Sequence, residues 1–422
     1  SSLQGKARAS ELTTSINKEG LTPFNLEQDS LVRATLIRLD EKEHVLLFTM
    51  HHIISDGWSL GVLFKELTAS YEAFSQDQIP DLKQLPIQYT DFAVWQRNWL
   101  SGEVLAKQIA YWKQQLADLS TLELPLDRPR PAIQSFKGAM IQQDLSLTLS
   151  EQLVSFSQRE GVSLFMTLLS VFSVLLARYS GQHDIVVGSP IANRNGSELE
   201  ELIGFFVNSL VMRTNVSGNP GFRDLVQQVN SMALGAFDHQ DLPFEKLVDE
   251  IQPERILSQN PLFQVMFALQ NTPMEPLELR GLNIQAVPQK IRTTRFDLEV
   301  HVWERAENLS VSFIYNTDLF DASTIKRMFS HYECLMQGMM SAPDSRIMDI
   351  QMMRDQEYQQ IVHEWNRTAT DYPGDKTIHE LFERQAVNSP DATAVTYRSR
   401  TLSYQQLNKS ANQLAAYLRE KG

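Results

Sequence analysis

Two adjacent histidines, followed by an aspartate and a glycine, are the residues best suited to acid–base chemistry. They lie in the run His51-His52-Ile53-Ile54-Ser55-Asp56-Gly57. A histidine can act as a general base near neutral pH. Asp56 can fold back to hold the loop or pair with a cation, and Gly57 leaves room for a backbone or a substrate. The pattern therefore favours proton transfer at this point of the chain.

Other interpretations of the same residues stay open. Both histidines can be structural residues at a strand end whose hydrogen bonds are made within the protein, with the aspartate as a helix cap. Adjacent histidines in a strand point to opposite faces, and the chain has neither an H-E-x-x-H motif nor another ligand cluster, which weighs against a metal site. A serine hydrolase is disfavoured because no G-x-S-x-G elbow occurs.

The flanking segments place this run at a junction between a strand and a helix. Apolar, partly β-branched runs at 31–39 and 44–50, joined by the polar DEKE, predict paired strands. The second run is apolar on both faces, which predicts a buried central strand. Helical spacing from residue 60 onward predicts an amphipathic helix capped by Asp56 or Ser59. Such junctions often carry catalytic groups.

The rest of the chain alternates between segments with the pattern of strands and segments with the 3.6-residue period of helices. A helix is predicted over 89–117, followed by the proline-rich linker LPLDRPRPAIQ. Further strands are predicted near 140–147, 184–192, 207–216, 262–270, 296–304 and 309–316, and further helices at 149–160, 163–179, 222–236, 243–250 and 321–340. Two successive mixed blocks indicate two α/β lobes. The stretch RTATDYPGDK is predicted to be a linker between domains. The residues after it are predicted to form a helix, two strands and a second helix.

Composition excludes several function classes. The 422 residues carry a net charge of −13, which disfavours a nucleic-acid surface. The single cysteine, Cys334, allows no disulfide framework and fits a reducing compartment. The longest apolar stretch, residues 164–179, is interrupted by Thr167, Ser170 and Ser173 and predicts a core helix instead of a membrane span. We expect a cytoplasmic protein, and the polar start without an initiator methionine suggests a fragment.

A family resemblance rests on five blocks in order along the chain. HHIISDGWS resembles the HHxxxDG signature of the chloramphenicol-acetyltransferase-like superfamily, and most of all the condensation domains of nonribosomal peptide synthetases. The other blocks that resemble this family are YTDFAVWQ at 89–96, IGFFVNSL at 203–210, HQDLPFE at 239–245 and, loosely, RILSQNPL at 255–262. The resemblance covers about residues 1–350. LSYQQLN at 402–408 resembles a block near the start of adenylation domains.

The resemblance implies a fold and a set of domains. It implies an α/β protein with two chloramphenicol-acetyltransferase-like lobes in a V and a tunnel between them. The implied boundaries are an N-terminal lobe at 1–125, a C-terminal lobe at 126–350, a linker at 351–376 and the beginning of an adenylation domain at 377–422. Two early family blocks, S-x-A-Q-x-R and R-H-E-x-L-R, are absent from the chain, so the N-terminal lobe is expected to be incomplete.

The resemblance also implies the chemistry and the partners. An upstream donor and a downstream acceptor carrier domain would each insert a phosphopantetheine arm, and an adenylation domain would adjoin. The acceptor amine would attack the donor thioester and form an amide, with no cofactor bound by the domain itself. His52 would take or position the amine proton and His51 would pack or orient. Gly57 would leave space and present an N–H near the developing oxyanion, and Asp56 would be structural.

Other residues are assigned roles by the same resemblance. Trp58, Ser59, Asn208 and Ser209 are expected to bind substrate, while Asn208 can equally be a packing residue. The family's arginine partner of Asp56 lies upstream of this chain, so Arg213 is the in-chain substitute. The aromatic residues expected to pack in the core and between lobes are Tyr89, Trp95, Trp99 and Trp112.

Two alternative functions remain. One is a related acyltransferase that forms esters, or a specialised condensation relative. The other is a non-catalytic module that docks carrier domains. HHIISDGWS and SPIANRN resemble domains that take an L-configured donor, whereas the amino acids that are joined cannot be named from the sequence.

Overall fold

The computed structural model describes residues 5–253, 256–270, 277–287 and 293–422. The chain divides into two compact units, Ser1–Arg354 and Asp355–Gly422. The helices of the first unit are α1 (Gly5–Leu21), α2 (Gly57–Phe74), α3 (Tyr89–Trp99), α4 (Gly102–Gln115), α5 (Leu147–Glu160), α6 (Leu164–Ser180), α7 (Phe222–Asp238), α8 (Phe244–Ile251) and α9 (Ala322–Ser341). Its strands are β1 (Val32–Arg38), β2 (His44–Met50), β3 (Gly138–Asp144), β4 (Asp184–Ile191), β5 (Asn208–Asn215), β6 (Val265–Gln270), β7 (Leu298–Glu304) and β8 (Leu309–Asn316).

The larger sheet of the first unit has six strands in the order β3-β8-β7-β6-β4-β5. β6 runs parallel to β4 and β7, and the other neighbours are antiparallel. Every residue of β8 is buried, which fits an inner strand covered on both faces. The mixed α/β class predicted from the sequence is confirmed.

Helix α6 forms the centre of the core against α7 and α9. Its residues from Met166 to Ala177 are all buried. The buried hydroxyls are satisfied inside the protein, because Ser170 Oγ and Ser173 Oγ donate to carbonyls one turn earlier, at 2.7 and 2.8 Å. The prediction of a core helix is confirmed. Among the described residues no single helix is long and apolar enough to cross a membrane, and α5 with α6, bent by 109°, meets those criteria only as a pair.

The first two strands form a separate antiparallel pair, with Val32 opposite Met50 and Arg38 opposite His44. The pairing was predicted, but the buried central position of β2 was not found. β2 pairs only with β1 among the described strands, and Leu46 and Phe48 are exposed. The apolar run reports a preference for burial, whereas burial itself depends on which elements cover the strand.

The helix predicted over 89–117 is two helices. Leu100 N bonds to Gln96 O at 2.9 Å and Ser101 N bonds to Trp99 O at 2.9 Å, which ends α3. Gly102 then has a φ of 55°, a left-handed conformation that a glycine adopts without strain. α3 therefore ends and α4 begins within a segment whose apolar spacing is continuous.

The proline-rich linker lies against the larger sheet's end. Arg130 donates to both carboxylate oxygens of Asp297, which is 5% exposed at its side chain, and Arg128 pairs with Asp321. These pairs fix a segment that has no regular secondary structure of its own.

The second unit is small. It contains α10 (Asp355–Tyr358), a π-helical turn at Gln359–Glu364, α11 (Ile378–Asn388), β9 (Thr393–Tyr397), β10 (Arg400–Ser403) and α12 (Tyr404–Lys421). The helix, two strands and helix predicted here are confirmed. β9 and β10 pair antiparallel, and Ser403 and Gln406 form a capping box at the start of α12.

Candidate active site

Residues 51–56, which we call the histidine loop, connect the end of β2 to the start of α2. Main-chain and side-chain contacts hold this loop. His51 N donates to Leu31 O at 2.9 Å. His51 Nδ1 accepts from Ile53 N at 3.1 Å and so caps the short 3-10 turn His52–Ile54. The His51 ring also meets Phe24 edge-on, with centroids 5.9 Å apart. These contacts leave His51 occupied in shaping the loop.

His52 is exposed, and its contacts select a tautomer. Its Nδ1 lies 2.5 Å from Ser55 O, and its ring meets Phe205 edge-on with centroids 5.1 Å apart. A carbonyl oxygen can only accept, so Nδ1 carries the proton in this contact. In the neutral imidazole Nε2 then holds the lone pair, which is the arrangement a general base needs.

Asp56 is the N-cap of α2 and is almost fully buried. Its Oδ1 accepts from Ser59 N at 2.9 Å and from Ser59 Oγ at 2.8 Å. Its Oδ2 accepts from Phe206 N at 3.0 Å. Of the two caps that the sequence allowed, Asp56 and not Ser59 fills the position. Because one carboxylate holds both α2 and residue 206, it fixes the distance between the histidine loop and a distant segment.

The cation that balances Asp56 is Arg194. Arg194 Nη2 lies 3.2 Å from Asp56 Oδ1, and the side chains are 1% and 4% exposed. Arg194 Nη1 donates to Leu199 O and Leu202 O, and its guanidinium lies 4.0 Å from the Phe206 ring centroid. Burial lowers the pKa of Arg194, and the charge of Asp56 opposes that shift.

The prediction that Arg213 pairs with Asp56 is therefore wrong. Arg213 is paired with Asp184 at 2.8 Å and donates to Gln115 O and Ala117 O. It belongs to β5, where its side chain reaches the neighbouring β4. Sequence reasoning missed Arg194, although it lies in the SPIANRN run just after the end of β4. A cation close to a strand end is the only signal that the sequence offered for it.

Two residues expected to bind substrate are used inside the protein instead. Ser59 is 0% exposed, and its Oγ accepts from Arg194 Nη2 at 3.0 Å and Gly204 N at 3.1 Å. Asn208 donates to Gln240 O and Leu242 O, and its Oδ1 accepts from Ser209 N and Phe244 N. With every hydrogen-bonding position filled, these two side chains have structural roles, which corrects the prediction.

Trp58 and Ser209 are half-buried. Trp58 Nε1 donates to Glu200 O at 2.9 Å, and its ring centroid lies 5.9 Å from the Arg194 guanidinium. Both contacts join α2 to the loop that follows β4. A role for either residue in substrate binding stays a prediction.

Residues 203–206 contact the histidine loop through Phe205, which meets the His52 ring, and Phe206, whose N–H donates to Asp56. Tyr89 OH donates to Phe205 O at 2.8 Å, and burial raises the pKa of Tyr89, with a further contribution from Asp56. A Cβ added to Gly204 would lie 2.2 Å from the Tyr89 ring, so only glycine fits. The block that resembles I-G-x-F-V-N therefore supplies the ring beside His52 and an N–H for Asp56.

Gly57 behaves differently from Gly204. A Cβ added to Gly57 would meet no atom within 4 Å, and the residue is exposed. The space beside the start of α2 is open, and a role for Gly57 in admitting substrate stays a prediction.

The aromatic residues predicted to pack internally divide into two groups. Trp112 is 1% exposed and donates to His239 O at 2.9 Å, and Tyr89 is half-buried. Trp95 and Trp99 are 51% and 37% exposed, so the prediction of internal packing is wrong for these two. They lie three and seven residues after the buried Phe92, on the same face of α3, and the rings of Phe92 and Trp95 have centroids 5.8 Å apart.

Comparison with known proteins identifies relatives over most of the chain. The family model described as Condensation domain matches residues 2–362, and the model described as AMP-binding enzyme matches residues 382–422. Residue Arg255, in the loosest of the five blocks, lies outside the described residues. A linear gramicidin synthase protein of Brevibacillus parabrevis is 48% identical over 407 residues, which are 96% of this chain and 5% of that protein. Chondramide synthase cmdD of Chondromyces crocatus is 43% identical over 424 residues, which are 100% of this chain and 11% of that protein.

Solved structures agree with the fold described above. The X-domain in its complex with OxyB from teicoplanin biosynthesis has a TM-score of 0.76 and 28% identity, and the match covers 82% of this chain and 78% of that one. A four-domain nonribosomal peptide synthetase bound to AMP and glycine has a TM-score of 0.77 and 26% identity, and the match covers 98% of this chain and 32% of that one.

Proposed function

The chain belongs to the condensation-domain family, and we propose that it forms amide bonds between carrier-tethered aminoacyl or peptidyl groups in nonribosomal peptide synthesis. Because it spans 5% of the length of the gramicidin synthase relative, the proposal concerns this domain within a larger protein. The observation that carries it is the exposed His52, whose Nδ1 contact with Ser55 O leaves Nε2 as the basic nitrogen.

In the proposed reaction the acceptor's α-amine attacks the carbonyl carbon of the donor thioester. A C–N bond forms, the C–S bond breaks, and the thiol is released on the donor carrier. His52 Nε2 accepts the amine proton, or holds the amine in position, and the proton finally reaches the leaving sulfur. No covalent bond to the protein is needed, because holding two tethered reactants together supplies much of the rate.

The residues around His52 support this role by positioning. The contact with Ser55 O orients the imidazole, and Phe205 contacts the edge of its ring. Asp56 and Arg194 hold the start of α2 against residues 199–206. Gly57 leaves open space beside the loop, where we place the developing oxyanion.

We also propose the partners and the domain division. A donor and an acceptor carrier domain bring their phosphopantetheine arms as substrates from opposite mouths of a tunnel, and this chain binds no cofactor of its own. The lobes span 1–125 and 126–350, a linker spans 351–376, and an adenylation domain begins at 377 and adjoins the condensation domain. The two sheets support this division, since β1–β2 and β3–β8 fall on either side of residue 125. The cytoplasmic location stays a prediction from the single cysteine.

The test is amide formation between two loaded carrier domains by the protein that carries this chain. His52→Ala should lower the rate by about 10²- to 10⁴-fold, the usual contribution of a general base. His44→Ala is the matched control, because His44 is exposed on β2 outside the loop. A correctly folded His52→Ala protein that forms product at the parent rate would remove His52 from the mechanism.

A second candidate function is a docking module without chemistry. It is favoured by one observation: a solved structure similar to this chain is in a complex with a second protein, OxyB. The amide-formation assay separates the two functions. A docking module would bind the carrier domains but form no amide product, whether or not His52 is present.

A further inference from the structure

A cleft beside the loop that follows β4 is lined by the two exposed tryptophans of α3. Trp95 and Trp99 stack with ring centroids 5.4 Å apart and an interplanar angle of 13°. The cleft has a volume of about 480 Å³, and Phe92 and Leu199 form part of its apolar lining. Stacking covers the surfaces that the two indoles turn toward each other, and the remaining exposed surface of the pair is open to whatever enters the cleft.

The polar side of the cleft is acidic. Asp91, Glu198 and Asp241 line it, and none of its lining residues is a lysine or an arginine. Glu198 is exposed and has no ion pair with a described residue. Burial raises the pKa of Asp241, although His239 opposes that shift, and the Asp241 carboxylate accepts a hydrogen bond from Gln108 Nε2 at 3.5 Å. Carboxylates with no lysine or arginine in the same lining leave a negative potential beside the aromatic pair, which an incoming cation would complement.

The third wall of the cleft is the loop that carries Arg194. Asn193, Asn195 and Glu198 face the cleft, while Arg194 between them turns inward to Asp56. An occupant of the cleft would therefore touch the segment that holds the histidine loop in place.

We propose that this cleft binds an arginine side chain presented by a peptide segment of a partner protein. A planar guanidinium stacks on an indole face and pairs with carboxylates at the same time, which a compact lysine ammonium does less well. The apolar lining accommodates the methylene stem, and Glu198 and Asp241 neutralise the charge. This inference concerns partner recognition and does not depend on amide formation.

The experiment is a titration of the whole chain with a blocked pentapeptide that has one central arginine between glycines. Binding is followed by NMR through the indole N–H signals. The counterpart with citrulline, which is neutral and nearly isosteric, should bind about tenfold more weakly, the combined effect of a cation–π contact and an ion pair. Affinity for the arginine peptide should fall as salt rises from about 0.05 to 0.5 M.

Variants locate the site. Trp95→Ala and Glu198→Gln should each weaken the arginine peptide about three- to tenfold. The matched controls are Trp365→Ala, another exposed tryptophan in the second unit, and Glu200→Gln, in the same loop but outside the cleft. They should leave the affinity unchanged. Equal binding of the arginine and citrulline peptides, or equal loss in variant and control, would overturn the proposal, as would the absence of any shift at the indole signals of Trp95 and Trp99.

Discussion

The buried pair of Asp56 and Arg194 can be tested by removing each charge alone and both together. Asp56→Asn keeps the shape of the side chain but places an N–H₂ among groups that donate, namely Ser59 N, Phe206 N and the guanidinium. Arg194→Met keeps most of the stem and removes the charge. The double variant removes both charges from the same interior.

The expected cost follows from burial. With side chains 1% and 4% exposed, either single variant leaves a buried charge without its partner, which costs about 3–5 kcal/mol of unfolding free energy. The double variant leaves neither charge, so its cost should fall short of the sum of the singles by about 2–3 kcal/mol.

The assay is urea denaturation of the four proteins, which gives a double-mutant cycle. The midpoint should fall while the slope m stays unchanged, since the same surface is exposed on unfolding. Lys65→Met is the matched control. Lys65 also joins α2 to the segment after β4, through Glu201 at 3.1 Å, but its side chain is 65% exposed. Its loss should cost only about 0–1 kcal/mol.

Two results would refute the reasoning. Additive single costs, within about 0.5 kcal/mol, would mean that the two side chains do not interact energetically. A coupling of Asp56 with Arg213 as large as that expected with Arg194 would restore the arginine that the sequence indicated.

Further predictions concern glycines and acid stability. Gly204→Ala should destabilise the protein by about 1–3 kcal/mol, because its Cβ would lie 2.2 Å from the Tyr89 ring, while Gly57→Ala should leave the melting temperature unchanged; equal melting of the two variants would contradict this. Gly57→Ala is also expected to reduce amide formation if substrate occupies the open space. Burial acts to raise the pKa of Glu299, but hydrogen bonds, first from His301, outweigh it and hold the pKa below 4.5. A depressed folded-state pKa means that this stabilisation is present above about pH 4.5 and is lost as the pH falls through the folded value. Glu299→Gln should therefore flatten the acid side of the stability profile, and an unchanged profile would exclude Glu299 as a contributor.

Local pattern was enough to predict most elements. The apolar, partly β-branched run of β1, the 3.6-residue period in α2 and the serine-interrupted apolar run of α6 each predicted whether the segment is a strand or a helix. These predictions were right because conformational type depends largely on the segment's own residues. They failed at 100–102, where α3 ends and α4 begins inside a continuous apolar pattern, so that the expected single helix is two helices.

The candidate site was only half predictable. His52, Asp56 and Gly57 are close in sequence, so their spacing and residue types could be read directly. Trp95 resembles a core residue by type and spacing, yet it is 51% exposed. The type of a side chain gives a tendency to be buried. Whether another element covers that face of the helix depends on the tertiary structure and cannot be inferred from the sequence of the segment.

The sequence by itself determined the family, the mixed α/β class and the loop on which the histidines lie, because each depends on residues that are neighbours along the chain. Only the tertiary structure decided which cation balances Asp56. Arg194 lies 138 positions away, and Arg213, another arginine in the same region, is taken by Asp184 on the adjacent strand. A charge selects its partner by distance and burial in the folded protein, and both are set by how the sheet and the helices pack.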